Sequence, residues 1–381
     1  MGLALMSAAG SLATDMYLPS LVGMTRELHT SSSLAQFTLS AFMVGMAIGQ
    51  LVIGPVSDVH GRRRLMIGGS VVFLLSSLAA AFVDSIWVLI GLRMVMGFAG
   101  GTGPVVSRAI IADLARGREA ARAFSVMMAI QGLAPVVAPI LGGQLAGPIG
   151  WPGIFVVLAG FNLAMVLVAV LLVPESLPAE RRAEPGLARL APSFAQVLGD
   201  RVFVGHALSM AITFGVMFGY ISASPFVLEK QLGLRSSTYS LAFAGNAVMV
   251  ILASLLNSRL IRNHEPVRIA RSGMAMTVCG SLGLLLNGIA GPRLWPTLGL
   301  LAFSVFGVGL VLGNTTGLGA AQVPHAAGAG SAVMGAAQFL VAGIVSPLVG
   351  LGADAAVSMA VVMLACAVGA NLCHYGLTRA G

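Results

Sequence analysis

Apolar runs near the ~20 residues that an α-helix needs to cross hydrocarbon recur along this chain, between short breaks that hold nearly all of its charge. Cut at those breaks, the runs cover 3–23, 35–56, 66–83, 86–112, 123–146, 153–173, 202–225, 239–260, 270–290, 295–320, 329–351 and 355–377. In hydrocarbon every backbone N–H and C=O must be paired within the protein, which leaves helices or closed barrels. The runs are helical in length, so the pattern predicts an all-α membrane protein with twelve transmembrane helices. Composition agrees: 57% of the 381 residues are hydrophobic and 9% are charged, whereas a water-soluble domain carries roughly a quarter charged. The first run has no basic residue ahead of it and is interrupted by Asp15. It reads as a membrane span and not as a cleaved signal.

The net charge is +8, which could suggest nucleic acid, but the placement of the charge excludes that reading. Successive breaks alternate sides of the membrane. One set holds Arg62, Arg63, Arg64, Arg116, Arg118, Arg122, Arg181, Arg182, Arg189, Arg201, Arg259, Arg262, Arg268, Arg271 and Arg379. The other holds Arg26, Lys230, Arg235 and Arg293. An excess of Lys and Arg marks the cytoplasmic side, so the first set and both termini are expected in the cytoplasm of a bacterial cell bounded by this inner membrane. The partner implied is the lipid bilayer, with no nucleic acid.

The longest polar break, 174–201, contains four prolines and divides the runs six and six. Residues 1–174 and 201–381 are expected to form two six-helix bundles, with 175–200 as a cytoplasmic linker. The halves resemble each other. "VMMAIQ" at 126–131 and "VMGAAQ" at 333–338 share Val, Met, Ala and Gln in register, and the same offset carries Gly143 onto Gly350 and Gly100 onto Gly307. Parallel pseudo-symmetric halves of this kind are a transporter architecture.

Charge gathers most densely between the second and third runs, in "GPVSDVHGRRRL" at 54–65. Gly54, Asp58, Gly61, Arg62, Arg63 and Leu65 match the signature loop of the major facilitator superfamily, which the stretch resembles. Val59 departs from it, where a basic residue is usual. The resemblance implies a conformational latch that favours an outward-facing state. In it Asp58 meets Arg62 and a helix N-terminus, and Asp113 at the end of the fourth run completes the charge relay. A carboxylate–guanidinium pair at the membrane boundary is partly desolvated and stronger than a surface pair.

Further stretches resemble the bicyclomycin/chloramphenicol branch of the drug:proton antiporters: "TDMYLPSL" (14–21), "GQLVIGPVSD" (49–58), "SRAIIADL" (107–114), "LAPVVAPILGG" (133–143) and "SASPFVLEKQLGL" (222–234). Together they span nearly the whole chain. In the fifth run Pro135, Pro139, Gly142 and Gly143 correspond to the family's helix-bending motif. Small residues let helices approach closely, and prolines remove regular backbone bonds.

Ionisable residues in mid-membrane are costly and are functional candidates by default. Asp15 in the first run and Arg93 in the fourth qualify. In surroundings of low dielectric the neutral form of an unpaired carboxyl is favoured, and a nearby cation reverses the preference. That is the physical core of an antiporter, one site with two exclusive occupants. Asp15 is therefore expected to carry the proton and Arg93 to tune it; related drug antiporters hold an acid at the same Asp-Met-x-x-Pro step. Arg108, nearer the cytoplasm, is expected to reach the interface or support Asp113. Runs seven to twelve contain no acid as cut above. Tyr17, Tyr220, Asn246 and Gln338 are candidates for a substrate cavity of hydrogen-bonding groups among apolar walls.

No enzyme signature is present. The three cysteines lie inside apolar runs at no metal or redox spacing. The glycines of "GFAGGTG" (97–103) lie within a run with no preceding strand, and read as helix packing and not as nucleotide binding. The expected protein is thus a non-enzymatic, monomeric antiporter with no cofactor but the proton gradient, exporting small drug-like molecules such as chloramphenicol, florfenicol or bicyclomycin. Export of a physiological metabolite such as an amino acid or sugar, or a non-transporting receptor on the same fold, are the alternatives.

Overall fold

The computed structural model describes residues 2–115, 117–182 and 191–378. Arg116, Arg189 and Arg379, assigned above to the more basic breaks, lie outside the described residues. So do linker positions 183–190 and the side chain of Arg181. The described residues are almost entirely helical, with no strand among them.

The chain divides into two compact units, Met1–Leu187 and Ala188–Gly381. The first contains α1 (Gly2–Asp15), α2 (Leu21–Glu27), α3 (Ser32–His60), α4 (Arg62–Ala80), α5 (Ile86–Gly100), α6 (Thr102–Leu114) and α7 (Gly117–Leu172). The second contains α8 (Ala191–Gly199), α9 (Arg201–Ser224), a π-helical turn (Pro225–Gln231), α10 (Ser236–Leu260), α11 (Pro266–Ile289), α12 (Leu294–Gln322), α13 (Ala327–Leu348) and α14 (Ala355–Leu377).

Ten helices among the described residues are long and apolar enough to cross a membrane. Eleven of the twelve expected runs fall on these ten helices, two of them sharing α7, and the first run falls on none of them. The fifth and sixth runs fall in one helical stretch of α7, divided at Gly150, whose φ of +63° is open to glycine at little cost. The first run, cut as one span over 3–23, breaks after Asp15 into α1 and α2, joined by a 3₁₀ turn at Leu18–Ser20. Pro19 in that turn has no N–H to donate, which explains why the helix cannot run through it. Trp151, just past the Gly150 bend, donates its indole N–H to Glu27 at the end of α2 (2.7 Å) and ties the two irregular points together.

Side-chain oxygens cap several helix starts. Ser31 accepts from Leu34 N at α3, Asp200 from Phe203 N at α9, and Asp354 from Val357 N at α14. Large apolar side chains remain exposed along the helices, among them Phe82, Trp87, Leu171, Leu286 and Trp295. In water such a surface would aggregate; in a bilayer it faces lipid. The interior of the first unit is closed by small residues. Gly45 on α3 and Gly97 on α5 are reciprocal. A methyl at Gly97 would lie 2.0 Å from the Phe42 carbonyl oxygen, and one at Gly45 would lie 2.1 Å from that of Met94. The backbones of α3 and α5 can touch only because both positions lack a side chain.

Candidate functional site

Two clusters of polar groups stand out in the first unit. The deeper one is built where α1 stops. Asp15 is the last residue of α1 and is the one buried acid among the described residues. It forms no hydrogen bond or ion pair among them. Gly142, on α7, closes over the break. A methyl there would lie 2.0 Å from the Met16 carbonyl oxygen, so only glycine lets α7 seat against the turn that follows Asp15. Pro135 and Pro139 lie in the same stretch of α7, and Gly143 is buried beside Gly142.

Arg93 reaches this break from α5. Its Nη1 donates to the carbonyl of Ala13 (3.1 Å), two residues before Asp15. The last carbonyls of a helix lack partners within it, and a cation there meets the negative end of the helix dipole. The guanidinium is completely buried, and three aromatic rings surround it. Its carbon lies 4.3 Å from the centroid of Phe42, 5.1 Å from Tyr17 and 5.9 Å from Phe155. Each desolvated cation–π contact contributes about 2 kcal/mol. Nε and Nη2 have no acceptor among the described residues. The structure thus brings Arg93 to the helix end that carries Asp15 but does not pair the two side chains.

Tyr17 is fully buried in this cluster. Its hydroxyl lies 3.2 Å from Thr38 Oγ1 and within reach of Met24 Sδ, and its ring packs on Phe155. The other cavity candidates are in the second unit. Asn246 donates to the Tyr220 hydroxyl (2.9 Å), linking α10 to α9, and the Tyr220 ring stacks on Phe243. Gln338 is half-buried on α13.

The second cluster surrounds the turn between α3 and α4. Gly61 occupies it with φ +95°, a left-handed conformation that favours glycine. Arg62 forms ion pairs with Asp58, one turn earlier, and with Asp113 at the end of α6 (3.2 Å), and it donates to Ser57 Oγ. Asp58 is half exposed and Asp113 less so, which makes the Asp113 arm the less screened of the two. Arg63 turns elsewhere and donates to the Val170 carbonyl of α7 (2.6 Å). Gly54 faces no backbone and meets only the side chain of Val105. Arg108 does not support Asp113; it donates to the Pro104 carbonyl one turn back on its own helix.

Two members of this cluster were not picked out from the sequence. Glu175 Oε1 accepts from the backbone N–H of Arg62 (2.9 Å) and of Leu177 (3.1 Å), and Glu175 pairs with Arg182. Ser176 donates to Asp113 (2.8 Å). A carboxylate on the first N–H of α4 satisfies a donor that the helix cannot. The signal lay in "PES" at 174–176, where the polar break begins. A charge-rich break reads as linker until the fold folds it back onto the turn.

Sequence and fold comparisons agree with this architecture. The profile of the Major Facilitator Superfamily matches residues 3–347. The chain is 36% identical to "Uncharacterized MFS-type transporter YdgK" of Bacillus subtilis, over 99% of this chain and 94% of that one. It is 29% identical to the "Bicyclomycin resistance protein homolog" of Haemophilus influenzae, over 99% and 95%. A crystal structure of a bacterial homologue of the human lysosomal transporter Spinster, inward-facing and occupied, shares the fold, with a TM-score of 0.77 at 16% identity over 99% of this chain and 96% of that one. Matched almost end to end in sequence and in fold, the chain belongs to the major facilitator superfamily.

Proposed function

We propose that this integral membrane protein is a proton-driven antiporter that exports small drug-like molecules from the bacterial cytoplasm by alternating access. One observation carries the reading: a buried carboxyl, Asp15, stands without a partner at the broken end of the first span, next to a helix terminus that already holds a buried arginine. Such a carboxyl can be neutral with a proton bound, or ionised against a cation, and the two states exclude each other. Arg93 biases the choice through the end of α1. The bicyclomycin-resistance relative supports an antibiotic as substrate, with amphenicols of the chloramphenicol and florfenicol type in the same size range. Asp58, Arg62 and Asp113, with Gly54, Gly61 and Arg63 shaping the turn, form the latch that holds one of the two access states. Both termini lie in the cytoplasm, as the distribution of arginine favours.

Everted membrane vesicles with a respiration-driven pH gradient test this. Amphenicols, bicyclomycin, sulfonamides and amino acids are added in turn while a pH-sensitive dye reports the gradient. At least one drug is expected to dissipate the gradient in vesicles bearing the protein and not in empty ones, with no response to amino acids. A response to amino acids alone would replace drug export by metabolite export.

A further inference from the structure

The second unit contains an acid that the drug-export reading does not use. The seventh run, as cut above, ends at Pro225. The fold carries it on. From Pro225 to Gln231 the backbone widens into a π-helical turn, in which Leu232 N bonds to Val227 O (2.9 Å) and Leu234 N to Leu228 O (2.9 Å). Single π-helical turns are rare and gather at functional sites. This one brings Glu229 inside the helical segment, so the expectation that spans seven to twelve lack an acid does not hold.

Glu229 is half-buried. Its Oε2 accepts one hydrogen bond, from Ser236 Oγ at the start of α10 (3.3 Å). Its Oε1 is buried and has no donor among the described residues. No cation pairs with it there. Lys230 and Arg235, its nearest basic neighbours in the chain, are exposed. The other titratable groups where α9, α10 and α14 pack on this turn are engaged elsewhere. Tyr239 of α10 bonds to Ser224, and Asp354, which caps α14, takes the side chain of Gln231. A carboxylate drawn out of water with one hydroxyl donor and no counter-ion is costly, and binding a proton is the ordinary way such a group becomes neutral.

The first span of the first unit shows the same device. There α1 ends at a proline-marked irregular turn, and Asp15 sits at the end of the regular helix without an ionic partner. In the second unit α9 is the first span, and it passes through Pro225 into an irregular turn whose carboxyl also lacks one. The likeness is one of geometry: the offset that carries Gly143 onto Gly350 carries Asp15 onto Ser222 and not onto Glu229.

We propose that Glu229 is a second proton-binding carboxyl, carried at the end of the seventh span opposite Arg201. Its service in transport rests on the proton-coupled reading given above; its ability to bind a proton does not. The test is therefore spectroscopic. The infrared carbonyl band of protonated carboxylic acids is followed against pH in the purified full chain, wild type, Glu229→Gln, Ser236→Ala and Asp15→Asn. A component whose midpoint stands apart from that of the chain's exposed carboxyls is expected in wild type and in Asp15→Asn. In Glu229→Gln that component is expected to be lost, and in Ser236→Ala its midpoint is expected to move. Should Glu229→Gln fail to fold, Ser236→Ala keeps the carboxyl and still reports on it. Identical bands in wild type and Glu229→Gln, or an unmoved midpoint in Ser236→Ala, would overturn the proposal. Drug transport surviving Asp15→Asn would count against the reading of Asp15 and leave this band untouched.

Discussion

Arg93→Met is expected to lose coupled transport while the protein remains as stable as before, or becomes more so. The two effects separate because they come from different terms. Arg93 is a completely buried guanidinium with one carbonyl bond and two unpartnered nitrogens among the described residues. Replacing a whole buried ion pair with apolar side chains of similar volume is often neutral or stabilising by about 1–4 kcal/mol, and a buried cation with no ionic partner has less attraction to offset its desolvation. The loss of about 2 kcal/mol for each cation–π contact is offset in part, because Met also packs favourably against Tyr17, Phe42 and Phe155. Transport has no such compensation. Removing the positive charge at the end of α1 alters the balance between neutral and ionised Asp15, and one pKa unit changes an ionised fraction about tenfold. Thermal unfolding in detergent with vesicle flux on the same preparation checks both halves. Loss of flux that merely tracked loss of fold would show Arg93 to be a packing residue.

Gly97→Ala is expected to destabilise the protein by roughly 2–3 kcal/mol, the upper part of the range for an over-packed interior. The added methyl would lie 2.0 Å from the Phe42 carbonyl oxygen. That atom is backbone and cannot rotate away, so α3 and α5 must separate. Their separation carries the Phe42 ring off the Arg93 guanidinium, and flux should fall with stability. Gly160→Ala, on α7, is the matched control. Nothing lies within 4 Å of a methyl there, and the same exchange at a compatible helical site is neutral or stabilises by about 0.4–1 kcal/mol. Thermal unfolding of the two variants side by side measures the contrast.

The all-helical, apolar character of the chain was legible in the sequence because hydrocarbon enforces long apolar runs and few charges, and that pattern needs no tertiary knowledge. The places where helices depart from regularity were less so. Pro19 announced a break in the first span, but not that the break would leave Asp15 as the final helical residue. The seventh run ends at 225 as cut from the sequence, and the fold continues past it by widening to a π-turn at Pro225–Gln231, which no local pattern signals. Asp15, Arg93, Asp58, Arg62 and Asp113 could be picked out because charge is conspicuous in an apolar chain. Tyr17 stood out as a cavity candidate, but its grouping with Phe42 and Phe155 around Arg93 could not be read, since the three lie on separate segments and the two Phe look like ordinary apolar residues. Gly142 was legible as a small residue in a bend motif, but its purpose, contact with the Met16 carbonyl, is long-range. Glu175 and Ser176 were hidden by a break whose composition is that of a linker.

The most direct measurement of the central claim is proton release on drug binding. Purified protein in weakly buffered detergent is mixed with a drug that dissipates the vesicle gradient, and a pH indicator counts the protons set free. The account predicts release from the wild type and, from Asp15→Asn that still binds the drug, the loss of the protons Asp15 would have given up. Undiminished release from the Asn variant would contradict the account, because the proton displaced by the drug would then have come from another group.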